Sequence, residues 1–126
     1  TIAVFTNGIT ALSASDADGT LNITTGTIDA TNGTAVSIDG PGGVTTLGIS
    51  LEKVSSSDAT NGIFIQDTNG SFTVTGNTMT NADGSGGAIS GISQRGVSLS
   101  NALNISLSNM TITNMTGDAG GAGTCD

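Results

Sequence analysis

The stretch Gly62-Ile-Phe-Ile-Gln-Asp-Thr-Asn-Gly-Ser-Phe-Thr-Val-Thr-Gly76 decides the fold. Apolar residues alternate with others at Ile63 and Ile65, and again at Phe72 and Val74. A period of two places successive side chains on opposite faces of a β-strand. The Asn-Gly step between the two pairs is a turn signal, because both residues tolerate positive φ. The stretch therefore predicts two short strands separated by a turn.

The second pair belongs to a unit that occurs four times along the chain. In each copy an alternating apolar pair is followed, five positions after its second member, by one further apolar residue. The copies are Leu21, Ile23 and Ile28; Leu47, Ile49 and Val54; Phe72, Val74 and Met79; and Ile105, Leu107 and Ile112. Another apolar pair precedes each copy: Leu12 and Ala14, Val36 and Ile38, Ile63 and Ile65, and Val97 and Leu99. The repeat length is 26, 25 and then 33 residues.

This repeat predicts an all-β fold, a parallel β-helix (β-solenoid) of about four to five coils with three strands each. A single coil has no buried face until another coil stacks on it, so inward residues form an apolar column. We expect Ile23, Ile49, Val74 and Leu107 to stack at one level, about 4.8 Å apart along the axis. A β-sandwich is the alternative, but it has no reason to keep a constant offset. Residues 1–126 are one segment of such a solenoid.

Composition supports an all-β chain and excludes several functions. Thr, Ser, Asn and Gly make up 67 of the 126 residues, whereas Lys, Arg, Glu and Gln total five, which excludes a helical protein. The net charge of -8 leaves nothing to neutralise nucleic acid or an anionic membrane. No apolar run is long enough to insert into a membrane. An acidic surface with little Lys is typical of secreted microbial proteins, so we expect an extracellular or cell-surface location.

The segments Gly62–Gly76 and Gly96–Asn114 resemble the repeats of right-handed parallel β-helices. The family is the pectate-lyase-like group, and especially the repeats of large secreted or surface proteins of bacteria. The resemblance covers about residues 20–116 and implies the fold. It implies little about function, because such repeats occur in lyases, hydrolases, adhesins and filaments alike.

Catalytic candidates are few. A glycan-cleaving β-helix needs paired carboxylates, or acidic calcium ligands with a basic residue that abstracts a proton. Asp39 and Asp67 follow the first strand of successive coils and could face the same side, but turn formation explains both. Arg95 is the only arginine and has no acidic cluster beside it in the sequence. The sequence therefore predicts no catalytic residues and no enzyme.

The sequence gives equally little support for a metal site, a cofactor site or an ice-binding face. Asp16-Ala-Asp18 begins like a calcium loop but lacks the later ligands, and Cys125 stands where the glycine-rich calcium repeat needs Asp. We predict no metal and no cofactor; Cys125 fits an inward apolar position, with an intermolecular disulfide as the alternative. Thr-x-Thr triplets that would suit ice binding begin at Thr73, Thr78 and Thr111. Charged neighbours at other coils interrupt that array.

Two features mark residues for surface contact or modification. The third repeat is long, so we expect about nine residues within 84–95 to bulge out or form an extra short strand; Gln94 and Arg95 are then the contact residues. Deleting residues 85–93 should leave the fold intact. Asn-x-Ser/Thr sequons, which accept N-linked glycans in exported proteins, begin at Asn22, Asn32, Asn69, Asn104, Asn109 and Asn114.

The two ends carry the functional expectation. Ile2 fits the third strand of a preceding coil, and Cys125 falls where a next first strand should begin. Uncapped coils expose apolar columns and strand edges. We therefore expect end-to-end self-association or continuation into a longer chain, and a non-enzymatic shaft in an adhesin or filament. The alternative is a fragment of a polysaccharide-cleaving or carbohydrate-binding β-helix, so glycans are a second partner class.

Overall fold

A computed structural model of the chain describes residues 1–16, 18–42, 45–77 and 83–113. All its regular elements are strands, and they wind into a parallel β-solenoid of about four turns. The strands are β1 (Ile2–Asn7), β2 (Leu12–Ser15), β3 (Gly19–Ile23), β4 (Gly26–Thr31), β5 (Val36–Asp39), β6 (Thr45–Leu51), β7 (Lys53–Ser57), β8 (Asn61–Val74), β9 (Gly87–Ser90), β10 (Arg95–Ala102), β11 (Ile105–Leu107) and β12 (Met110–Ile112). The predicted fold class is confirmed.

The strands form three parallel stacks. The first stack contains β2, β5, the first half of β8 and β10; the second contains β3, β6, the second half of β8 and β11. The third stack is a separate five-stranded sheet in the order β1-β4-β7-β9-β12. Because β8 is continuous through the bend near Thr68, the first two stacks belong to one hydrogen-bonded sheet.

The core lies between the three stacks. Inward side chains of the middle coils are buried, and they include Ile28, Val36, Ile38, Ile49, Val54, Ile63, Ile65, Phe72, Val74 and Ile89. The outward neighbour Thr73 is only partly buried. The predicted inward and outward phase is therefore right, and the first stack has the predicted register: Val36 lies between Leu12 and Ile63, and Ile63 is also level with Val97.

The predicted register of the other two stacks is wrong by two residues from the third coil onward. Val74 pairs with Leu51, and Phe72 takes the place beside Ile49 that the repeat predicts for Val74. In the third stack Ile112 pairs with Ile89, which pairs with Ser56 rather than with Val54. A shift of two residues keeps every side chain on its own face of the strand. Alternation alone therefore could not fix the register.

Of the two predicted alternatives for residues 84–95, the bulge is wrong and the short strand is found, although it is a regular strand of the third stack and not an additional one. Residues 87–90 form β9, a regular strand of the third stack that pairs with β7 and β12. Ile89 and Ile92 are fully buried, so residues 85–93 contribute to the core and are not a dispensable loop. The extra residues lie earlier, between Val74 at the end of β8 and Gly87 at the start of β9. In the preceding coil a single residue, Glu52, separates β6 from β7. Met79, which the repeat places in the core column, lies outside the described residues.

The corner from the third to the first stack is built on left-handed backbone. Successive coils place Gly8, Asn32, Asp58 and Gly91 there, with φ values of 79°, 52°, 52° and 64°. Glycine, Asn and Asp are the residues that adopt this conformation at low cost. At Gly91 a side chain would also collide with the Asp58 carboxylate. Short sequences that contain Gly, Asn or Asp therefore determine where each coil turns.

Candidate functional site

In the part of the chain that the structure describes, the solenoid has two open end faces. The N-terminal end face consists of β1, β2, β3 and the turn residue Ile9, and the C-terminal end face consists of β10, β11 and β12. Each of these strands is hydrogen-bonded on one side only among the described residues. An open edge presents unpaired N–H and C=O groups that another strand pairs with.

Large apolar side chains are exposed in the first and last described coils, and one of them, Phe5, points outward from β1 beside Asp29 and so lies on the side of the shaft. Every large apolar side chain that is exposed in the described part of the chain belongs to the first or last coil: Phe5 (70%), Ile9 (64%), Leu99 (46%), Leu103 (51%) and Ile112 (37%). In the middle coils, by contrast, the inward apolar side chains are buried. The exposed apolar residues therefore mark the first and last described coils.

Ile9 and Ile92 show this most clearly. Each follows the left-handed residue of the same corner, Gly8 in one case and Gly91 in the other. Ile92 is fully buried, whereas Ile9 is 64% exposed. Ile9 lies beside Gly33 of the next coil and lines a shallow groove that continues along Ala59 and Thr60. The same corner position is thus exposed in the first coil and covered in a later one.

A shallow, open cleft lies beside the insertion, at the corner between the second and third stacks. It has a volume of about 640 Å³, and its lining residues are Thr27, Glu52, Lys53, Thr75, Gly76, Asn77 and Ser85. Lys53 Nζ lies 3.4 Å from Asp29 Oδ2, and Thr25 Oγ1 donates to Glu52 Oε1 over 2.9 Å. Hydroxyl, amide, carboxylate and ammonium groups together suit a ligand rich in hydroxyl groups.

The insertion returns to the shaft through an ordered turn. The backbone N–H of Ser85 donates to Asp83 Oδ1 over 2.9 Å, and the backbone N–H of Asn77 donates to Ser85 Oγ over 3.0 Å. The Ser85 hydroxyl, and after it the Ser85 backbone N–H, hold the pKa of the Asp83 carboxyl below its usual range. The turn positions Asn77 and Ser85, which line the cleft.

Sequence reasoning missed this cleft, although a signal was available. Gly87-Ala-Ile89 repeats the pattern of Gly26-Thr-Ile28, and both glycines begin a strand of the third stack with positive φ, 109° and 156°. A side chain at Gly87 would collide with the Val54 carbonyl, and one at Gly26 with Ile2. Aligning these two steps places the strand at 87–90 and the insertion before it.

The other predicted site residues are dispersed. Gln94 and Arg95 are exposed, but they follow the coil path, since the Gln94 N–H donates to the Thr60 carbonyl and Arg95 pairs with Asn61. Both residues lie where the chain enters β10 and not in the insertion. Their role in surface contacts stays a prediction. Asp39 is level with Gln66, so it lies one register position before Asp67.

The acidic residues do not gather. Asp67 has a φ of 51° at its corner and accepts from Asn101 Nδ2 over 2.8 Å, which is a structural contact. Within the described ranges no three His, Cys, Asp or Glu side chains are grouped closely enough to hold a metal ion, and Asp16 and Asp18 form no such group. Cys125 lies outside the described residues.

Outward threonines do not form a regular array among the described residues. Thr73 lies between Ser50 and Ser106 along the second stack, and Thr27 lies beside Lys53 on the third. Thr111 lies beside Ala88, while Thr78 and Thr80 lie outside the described residues. The mixture of hydroxyl, amino and methyl groups lacks the repetition that an ice-binding face requires.

The sequon asparagines differ in how their side-chain amides are used. Asn109 Nδ2 donates to the carbonyls of Thr75 and Asn77 over 3.2 and 3.3 Å, and Asn104 Nδ2 donates to the Gly70 carbonyl over 3.0 Å. Asn32 Nδ2 donates to Asn7 Oδ1 over 3.0 Å. The exposed Asn69 and Asn22 are the remaining described sites, and Asn114 lies outside the described residues.

Comparison of the chain with protein-family models, with curated protein sequences and with solved structures found no match in any of the three. In the described part of the chain no helix is long and apolar enough to span a bilayer. Function is therefore inferred from the end faces, the cleft and the asparagines.

Proposed function

We propose that this chain is a length of non-enzymatic β-helical shaft that acts outside the cell, as part of a surface adhesin or filament. Its task is to project, space or assemble other parts. The observation that carries the proposal is the contrast at one corner position, where Ile9 is 64% exposed and Ile92 is fully buried. Open strand edges, together with exposed apolar residues that are confined to the first and last described coils, suit a unit that is extended along its axis.

The partner at the end faces is a further coil of the same kind of solenoid. The edges of β1, β2 and β3 require a parallel strand in each of three stacks, and the half-buried Leu12, Leu21 and Val4 require apolar side chains at the same level. A coil from a longer chain and a coil from a second copy both meet these requirements. The finer proposal, a relationship to pectate-lyase-like repeats of bacterial secreted proteins, rests on the sequence resemblance.

The test compares association of the full chain with that of two variants of equal charge. Ile9→Asp places a carboxylate on the N-terminal end face, whereas Thr46→Asp places one on the exposed outward side of β6, in a middle coil. We expect light scattering to show association or aggregation of the unmodified chain and of Thr46→Asp, and its loss in Ile9→Asp. An unmodified chain that stays monomeric, or a Thr46→Asp variant that loses association equally, would contradict the proposal.

The cleft of about 640 Å³ beside the insertion supports a second function, the binding or cleavage of polysaccharides. Its side chains match hydroxyl-rich ligands, although the described part of the cleft contains no aromatic ring for stacking on a sugar. A glycan array tests binding, and release of reducing ends from polysaccharides tests cleavage. If the cleft binds glycans, Thr27→Ala should weaken a positive array signal, while Ser13→Ala, on another face, should leave it unchanged.

A further inference from the structure

Asn22 differs from Asn32, Asn104 and Asn109 in how its side-chain amide lies. Asn22 lies on the exposed, outward side of β3 and is level with Gly48 of the next coil. A side chain at Gly48 would collide with Asn22 Oδ1, so this oxygen lies directly over the glycine. Asn22 Nδ2 is more than 4 Å from that same point. The oxygen therefore lies over the neighbouring coil, and the nitrogen lies farther from that glycine.

Asn109 has the opposite arrangement. Its Nδ2 donates to two backbone carbonyls of the preceding coil, those of Thr75 and Asn77, and its φ of 57° places it at a corner. Both amide hydrogens are needed for these two bonds. The nitrogen that a glycan would occupy is thus part of the contact that holds the last coil against the third.

We propose that Asn22 is a site of N-linked glycosylation and that Asn109 is not. The reaction joins Nδ2 to the anomeric carbon of a diphosphate-activated oligosaccharide. The bond from that carbon to the diphosphate breaks, the diphosphate leaves with the electron pair, and Nδ2 gives up one of its two protons. At Asn22 the product keeps the oxygen contact over Gly48. At Asn109 it loses at least one of the two hydrogen bonds and places a sugar at the corner.

This inference rests on the proposed extracellular location, since only an exported chain meets this chemistry. The test uses a host that exports the chain, so its outcome does not depend on the shaft proposal. The full chain is secreted from a eukaryotic host, and the folded, secreted fraction is analysed by peptide mass spectrometry. Enzymatic removal of N-linked glycans converts each modified Asn into Asp, which marks the site.

We expect the mark at Asn22 and none at Asn109. Thr24→Ala removes the first sequon while it leaves Asn22 in place, and it should abolish that mark and leave the unfolding temperature nearly unchanged, because Thr24 is exposed. If Thr24→Ala fails to fold, Asn22→Gln serves as the second variant. Unmodified Asn22, or folded protein with a glycan on Asn109, would overturn the proposal.

Discussion

Replacing the same residue at the same corner in two coils gives the sharpest test of the solenoid. Ile92 is fully buried, so Ile92→Ala should lower the free energy of unfolding by about 2–5 kcal/mol, through lost burial and the cavity left behind. Ile9 is 64% exposed. Since full burial of an Ile side chain contributes about 1.5–3 kcal/mol, Ile9→Ala should cost only about 0.5–1 kcal/mol.

The assay is urea unfolding of both variants and the parent chain, at a concentration low enough to suppress association. Equal slopes with different midpoints would assign the difference to stability rather than to the unfolded state. Equal losses for the two substitutions would refute the reasoning. A small loss at Ile92 would mean that residues 85–93 are not core, and a large loss at Ile9 would mean that its end face is covered in solution.

The core and the insertion give three further predictions. Among the described residues Thr68 Oγ1 is buried without a hydrogen-bond partner. Thr68→Val should therefore raise the free energy of unfolding by about 1 kcal/mol in the same assay. The control is Thr45→Val, at a buried residue that has an interaction partner, and it should not stabilise the chain. Deleting residues 85–93 removes β9 and should abolish the cooperative transition; a folded deletion would contradict the core assignment. Because the pKa of Asp83 is lowered, its contribution to the turn is complete above the ordinary Asp value, about 3.9, and is lost as pH falls through the lower folded value. An NMR titration of the residue-85 amide should give a midpoint below that value, which Ser85→Ala should raise; an unchanged midpoint would remove the hydroxyl as the cause.

Alternation and turn chemistry made part of the fold predictable from the sequence. A period of two determines which face of a strand is buried, so Val74 inward and Thr73 outward were predictable. The corner asparagines were predictable because few residues accept positive φ. The register of the strands was not predictable from the sequence. Leu51 and Ile49 are equally apolar partners for Val74, and a shift of two residues leaves the same side chains buried.

The candidate sites depended on facts that a linear pattern does not contain. Placing the insertion required pairing Gly87 with its neighbours in space, and the constant offset to Met79 pointed elsewhere. The sequons were visible, but which amide nitrogen contacts the next coil depends on side-chain orientation. Exposure of Ile9 and burial of Ile92 likewise depend on the number of neighbouring coils and not on local sequence.

Hydrogen exchange at the edge of β1 tests the central claim most directly, which is that a further coil covers the end faces. The N–H groups of Ile2 and Gly8 bind the Thr25 and Thr31 carbonyls of the neighbouring coil. By the alternation of a parallel strand, those of Ala3, Phe5 and Asn7 point to the open edge. If a coil pairs there, exchange at these three amides should slow as protein concentration rises and association begins, until it approaches that of the β4 amides. Fast exchange at all three amides in the associated protein would contradict the account.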